Sequence, residues 1–252
     1  MPGARLKCFA KAKLDVVWWL GFLGGFRMTF SVVARCARTG QLGVAVSSSS
    51  PAVAARCAYA KAGVGAVTTQ NITDPRLGPA ALALLARGAG AEAALAAVTA
   101  GASHLEYRQL TIIDARGGTA VFSGAHTLGV HGQAVGRDVV SAGNLLADQG
   151  VPAAVVAAFE ASDAGAELGD RILAAMLAGL AAGGEAGPVK SAGMVVVDTQ
   201  AWPIADLRVD WHDAPLAELT ALWALWKPQM RDYVTRALNP SAAPTYGVPG
   251  DE

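Results

Sequence analysis

From Thr29 onward the chain is organised in blocks, and the order of those blocks limits the folds open to it. Strand-like runs at 29–36, 42–49 and 64–70 are separated by turn-rich joints. Two helical segments follow, at 76–87 and 91–101, parted by Gly88-Ala89-Gly90. A second strand block covers 107–114, 118–123 and 138–142, with Asp114-Ala115-Arg116-Gly117-Gly118 as a hairpin loop. Helices at 152–161 and 166–182, strands at 191–198 and 204–210, and a last amphipathic helix over 214–236 complete the pattern. In that helix Leu216, Leu219, Trp223 and Trp226 recur at helical spacing. Strands, two helices, strands, two helices, strands, helix: this order predicts two sheets covered by helical layers. A doubly wound nucleotide-binding fold would alternate strand and helix singly. It would also carry a third glycine after Gly63-Val64-Gly65, and none follows.

The hairpin predicted at Arg38-Thr39-Gly40 pairs the first two strands antiparallel. It sets Thr29 across from about Ser49 and Ser31 across from about Ser47, so that the run Ser47-Ser48-Ser49-Ser50 borders Thr29. Thr29 follows Met28 directly. If translation starts at Met28 and that methionine is trimmed, a hydroxyl and a free α-amine share one residue. An α-amine with a pKa of about 7.7–8.0 can take the hydroxyl proton at neutral pH. The competing reading is an ordinary dipeptide within a strand.

Residues 1–28 are read apart from the rest. Lys7, Lys11 and Lys13 precede an apolar run at 16–23 that has the layout of a signal peptide, but Asp15 interrupts it, the run is short, and no small-x-small cleavage site precedes Arg27-Met28. Three readings stand: upstream sequence from a misplaced start, an interfacial extension, or a true signal peptide. Residues 29–238 are expected to form one domain, and 239–252 a Pro-, Gly- and Ala-rich tail.

Composition narrows the function classes. The 252 residues carry 20 Lys and Arg against 20 Asp and Glu, a formal net charge of zero, which argues against a nucleic-acid partner. Cys8, Cys36 and Cys57 show no paired spacing, which favours a reducing, cytoplasmic setting, and no stable membrane insertion is expected. There is no G-x-S-x-G elbow, Walker loop, H-E-x-x-H or cysteine cluster, so neither a cofactor nor a metal is implied. His126 and His131 stand five apart, and a surface or hydrogen-bonding role suits them better than metal ligation; His104 and His212 stand alone in joints.

Chemistry at Thr29 would need a positive charge and N–H donors for an oxyanion. Lys61, just before the third strand, could supply the charge, although a solvated loop lysine explains it too. Gln70 and Asn71, at the strand end Thr68-Thr69-Gln70-Asn71, and Asn144, in Gly143-Asn144, could supply donors, with structural turns as the alternative. Trp223 and Trp226 suit homo-oligomerisation and burial within one chain equally.

Several stretches together resemble the DUF1028 family of Ntn-hydrolase-like proteins. They are Thr29-Phe30-Ser31-Val32-Val33-Ala34-Arg35, Leu42-Gly43-Val44-Ala45-Val46-Ser47, Ala62-Gly63-Val64-Gly65-Ala66-Val67-Thr68-Thr69-Gln70 and Gly143-Asn144-Leu145-Leu146. Further along come Ala182-Gly183-Gly184 before Lys190-Ser191-Ala192, and Leu207-Arg208-Val209-Asp210 leading to Pro215 and Leu219. The resemblance covers about 29–225. It implies an α+β, four-layer αββα sandwich of two mainly antiparallel sheets between helical layers. It also implies that the residue at the mature N-terminus, here Thr29, attacks an amide carbonyl. By analogy with threonine-type members such as proteasome subunits, assisting groups would fall near Ser48 or Ser49 and on Lys61. Two segments depart from the family pattern. G-G-D-x-R-G-x-Q-S reads Gly183-Gly184-Glu185-Ala186-Gly187-Pro188-Val189-Lys190-Ser191, and W-A-G-H reads Val130-His131-Gly132-Gln133.

The expected function is hydrolysis of a linear C–N bond in a small-molecule amide or short peptide, through a Thr29 ester. Two alternatives are a non-catalytic ligand-binding or assembly protein on the same fold, and a deaminase of an imine or enamine metabolite.

Overall fold

The computed structural model describes residues 28–248; the expectations for residues 1–27, including the apolar run and Cys8, lie outside the described residues. Ten strands form two antiparallel sheets. The first has the order β10-β9-β2-β1-β8-β7, built from β1 (Thr29–Arg35), β2 (Leu42–Ser48), β7 (Gly132–Gly136), β8 (Val139–Asn144), β9 (Ser191–Val197) and β10 (Ala205–Val209). The second has the order β3-β4-β5-β6, from β3 (Ala58–Lys61), β4 (Gly65–Asn71), β5 (Arg108–Asp114) and β6 (Thr119–Ser123). Among the described residues there are seven α-helices: α1 (Ala54–Cys57), α2 (Leu77–Ala86), α3 (Ala91–Ala100), α4 (Val151–Ala161), α5 (Leu168–Ala181), α6 (Pro215–Trp226) and α7 (Met230–Leu238).

Period-two alternation along β1 decides which residue faces which layer. Phe30, Val32 and Ala34 pack with Val155, Phe159, Ile172 and Met176 of α4 and α5, whereas Val33 packs with Val44, Ala66, Ile113 and Val140 between the sheets. Thr29 and Ser31 share the parity of Val33, and the Ser31 hydroxyl meets that of Thr68 on the second sheet at 3.3 Å. The outer face of the second sheet is covered by α2 and α3 through Leu77, Leu82, Leu85, Ala94 and Val98. The described chain is therefore an α+β protein with two antiparallel sheets, in agreement with the block order.

Four local expectations are corrected. The first hairpin is shifted by one residue: Thr29 lies opposite Ser48, not Ser49, and Ser31 opposite Val46. Its loop closes through Gly40 N–H to the Cys36 carbonyl and Cys36 N–H to the Gln41 carbonyl, an even four-residue connection with Gly40 at φ +78° rather than a turn centred on Thr39. The last helix is two helices, since Pro228 supplies no N–H and α6 ends at Trp226 before α7 starts at Met230. Edge strands β3 and β7 were not expected, and neither was α1; half-exposed edges and four-residue elements carry little periodicity.

Candidate functional site

β1 is an inner strand of the first sheet, and Thr29 opens it with a neighbour on either side: Ser48, the last residue of β2, and Asn144, the last of β8. Thr29 is 6% exposed, and its Oγ1 donates to the Met28 carbonyl at 2.7 Å and lies 3.2 Å from Ser48 Oγ. Ser48 Oγ also reaches the Met28 carbonyl, at 2.6 Å, and the Ser49 N–H approaches that oxygen at 3.3 Å. Three donors are thus directed at the Met28 carbonyl oxygen beside the threonine hydroxyl.

The hydroxyl cluster continues away from Thr29. Ser48 Oγ contacts Ser50 Oγ at 2.8 Å and accepts from the Ser50 N–H at 3.1 Å. The Arg56 guanidinium then donates to Ser50 Oγ, while its other nitrogen holds the Pro51 and Ala52 carbonyls. Thr29, Ser48, Ser50 and Arg56 therefore form one hydrogen-bonded line ending in a cation. Ser191 braces it from β9, donating to the Ser50 carbonyl at 2.6 Å and accepting from the Val53 N–H at 3.2 Å.

Lys61 is elsewhere. It is exposed and pairs with Gly65 at the end of the second sheet where Val64 holds Ala115 and Ala115 receives the Arg35 guanidinium. That is the Arg35 end of β1, seven residues of extended chain from the Thr29 end. The structure does not bring Lys61 to Thr29; the cation it does bring is Arg56.

Of the expected donors, Asn144 and Gln70 converge. Asn144 Nδ2 and Gln70 Nε2 both donate to Gln109 Oε1, at 3.1 and 2.8 Å, and Gln70 also donates to the Ala142 carbonyl at 3.1 Å. Gln109 passes the chain on to Ser123 and Ser123 to Gln133, each at 3.0 Å, where an open cleft of about 470 Å³ is lined by Ser123, His131, Gln133 and Gln149. The Asn144 Oδ1 and Gln70 Oε1 atoms are buried with no hydrogen-bond partner. Asn71 does something else: at φ +68° it donates to the Tyr107 carbonyl and accepts from the Leu128 N–H, tying three loops together.

On the helix-facing side of Thr29 lies Glu185. The turn after α5, with Gly183 and Gly184 at φ +118° and +57°, delivers it, and its backbone bridges Leu146. The carboxyl is 5% exposed; Oε2 accepts from the Ser49 N–H at 3.0 Å, and Oε1 is buried without a formed hydrogen bond. Burial pushes its pKa up to about 8, opposed by the Ser49 N–H and by the nearby Ser47 hydroxyl, whose orientation leaves it short of a formed bond.

Arg56, Gln109 and Glu185 were not among the expected site residues, and Ser50 was expected only as part of the serine run beside Thr29. Gln109 and Thr111 break the apolar run of β5 on one face, a signal readable in the sequence; Arg56 carries no such signal. Among the described residues no group of three or more His, Cys, Asp and Glu side chains is arranged to hold a metal ion. His126 packs edge-on against Tyr107 and His131 lines the cleft. Trp223 and Trp226 are both engaged within the chain, donating to Asp170 and to the Ile204 carbonyl. No helix among the described residues is long and apolar enough to cross a membrane.

The fold and the site define an α+β protein with a buried hydroxyl cluster at the head of an inner strand. Residues 29–219 match the model of a family described as a family of unknown function, DUF1028, and the chain belongs to that family. A crystal structure of protein SPO2555 from Silicibacter pomeroyi, of the same family, is 30% identical over 82% of this chain and 89% of that one, with a TM-score of 0.74. Anbu, an ancestral β-subunit from Yersinia bercovieri, matches at 10% identity over 87% of this chain and all of that one, with a TM-score of 0.37. No curated protein matches the chain.

Proposed function

We propose that the protein is an Ntn-type amidohydrolase of αββα architecture that cleaves a linear C–N bond with Thr29 as nucleophile once the residues before it are removed. The observation that carries the reading is the convergence of the Thr29, Ser48 and Ser49 donors on one acyl-like carbonyl oxygen, that of Met28. The family match, which begins at residue 29, supports it as well.

In this reading the α-amine of Thr29 takes the proton from Oγ1 as Oγ1 attacks the substrate carbonyl. The developing oxyanion lies where the Met28 oxygen now lies and accepts from the Ser49 N–H and the Ser48 hydroxyl. The C–N bond breaks, the leaving amine takes the proton held by the α-amine, and an ester remains on Oγ1. Water, deprotonated by the same amine, attacks the ester; the acid departs and Oγ1 regains its proton. Arg56 keeps positive charge at the far end of the hydroxyl line and favours the neutral amine.

The test combines the mature mass of natively expressed protein with kinetics on a panel of amides. A mass beginning at Thr29, turnover by the parent, and loss of about a thousandfold or more in kcat for Thr29→Ala are expected. Turnover with Met28 retained, or with alanine at position 29, overturns the reading. A second reading, a non-catalytic binding protein, draws on the buried Met28: with it attached, the Thr29 nitrogen is an amide and has no basic lone pair.

A further inference from the structure

The position held by Met28 describes an acyl subsite in unusual detail. Its carbonyl has already been placed among three donors. Its backbone N–H donates to Ser49 Oγ at 2.9 Å, so the one serine reads both the nitrogen and the oxygen of this residue. Its side chain is 3% exposed and has the parity of Phe30, on the helix-facing side of the first sheet. At the far end of that side chain lies Gly187: a methyl group built on Gly187 would come within 2.5 Å of the Met28 Cε and 3.7 Å of Sδ. Ser47 and Glu185 share this side, the carboxyl bonding the same Ser49 N–H that approaches the Met28 carbonyl.

Any acyl group that Thr29 Oγ1 accepts must put its carbonyl carbon where Oγ1 can reach it, close to the carbon now bonded to the Thr29 nitrogen. Resting on the hydrolase reading, we infer that the acyl half of the substrate is an α-aminoacyl unit with an unbranched, uncharged side chain about as long as methionine's. Ser49 Oγ fixes its α-nitrogen, the Ser49 N–H its carbonyl oxygen, and Gly187 the end of its side chain. An anionic side chain is excluded, because it would be desolvated beside the Glu185 carboxyl, with no cation among the groups named at this pocket.

Gly187 makes the inference testable without a folding penalty. With Met28 gone, an alanine methyl at 187 projects into vacated space and shortens the pocket by the room of one methyl. In protein with a free Thr29, methionyl and norleucyl amides are expected to outrun glutamyl and valyl amides by about tenfold or more in kcat/KM. Gly187→Ala should move the preference about tenfold towards alanyl amide, and Ser49→Ala should narrow the gap between methioninamide and γ-methylthiobutanamide, which lacks the α-nitrogen. A second measurement needs no turnover: processed Thr29→Ala protein should gain thermal stability from L-methioninamide and none from γ-methylthiobutanamide or L-glutamate.

Hydrolysis with no preference for unbranched uncharged acyl units, or a preference untouched by Gly187→Ala, overturns the subsite and leaves the hydrolase reading standing. Selective stabilisation by methioninamide without any turnover upholds the subsite and overturns the hydrolase reading. Neither stabilisation nor preference sinks the subsite outright.

Discussion

Arg56 and Glu185 bring opposite kinds of charge chemistry to one serine run. Of the hydroxyls near Thr29, Arg56 touches only Ser50, two hydroxyls away, so in the hydrolase reading it is a positioning residue whose influence is electrostatic. In the hydrolase reading, removing its charge lets the freed α-amine of Thr29 hold its proton more tightly, and the acidic limb of the pH profile of kcat/KM then moves to higher pH. Arg56→Met is expected to show that displacement together with a loss in kcat of about tenfold to a hundredfold. Arg56→Lys should recover part of both. A fall in melting temperature with the profile unmoved would reduce Arg56 to a loop brace.

Glu185 acts on stability. Its folded pKa of about 8 stands above the 4.5 of the free side chain, so between those values the folded protein keeps a proton that the unfolded chain has released. Stability from this group is therefore complete below about pH 4.5 and is lost as pH rises through 8. Unfolding free energies of Glu185→Gln from denaturant titrations at pH 5 and pH 9 should differ less than those of the parent, by an amount on the order of a few kcal/mol. An unchanged pH slope would mean that the carboxyl ionises freely inside the fold.

Among the elements, α5 and α6 approach so closely that a single methyl would block their contact. Gly169 lies against the Trp223 indole, with a built methyl group 2.5–2.8 Å from three ring atoms, while the indole N–H is held by Asp170 at 2.7 Å. The ring cannot retreat without giving up that bond. Gly169→Ala should therefore cost about 1–3 kcal/mol, read as a lower urea midpoint with an unchanged slope. A neutral result would show that α6 slides freely on α5.

The same scale explains what the sequence disclosed. Strands buried on both faces, such as 42–48 and 191–197, stand out as apolar runs, and helices α2 to α5 as periodic ones, because burial writes its pattern into the chain. Edge strands β3 and β7 are half exposed and leave no such trace. Thr29 stood out as a candidate because a hydroxyl and an α-amine would share one residue next to a methionine. Ser48 was legible only to within one position, since the hairpin loop fixes the register and a single residue of error turns a strand to its other face. Lys61 had suitable spacing and the wrong end of a sheet, a matter of how two sheets stack that local sequence does not encode. Arg56 enters on the four-residue α1 and Glu185 through the turn after α5, and neither is singled out by periodicity.

At the scale of the whole molecule, the two sheets meet around polar side chains at one end and apolar ones at the other. Val33, Val44, Ile113 and Val140 fill the interior towards the Arg35 end, and Ser31, Thr68, Thr111, Gln70 and Gln109 fill it towards Thr29. Packing at the first end fixes the stacking of the sheets, and hydrogen bonds at the second fix the angle at which β1 presents its first residue.

The line from Asn144 through Gln109 and Ser123 to Gln133 is made wholly of amides and one hydroxyl, none of which gains or loses a proton across the physiological range. It can relay orientation from the cleft to the head of β1 and cannot relay charge. A ligand in that cleft that contacts Ser123 and Gln133 would meet groups whose charge is the same in acid and in base. Acidity could then gate the serine flank of Thr29 while its asparagine flank went on reading shape alone.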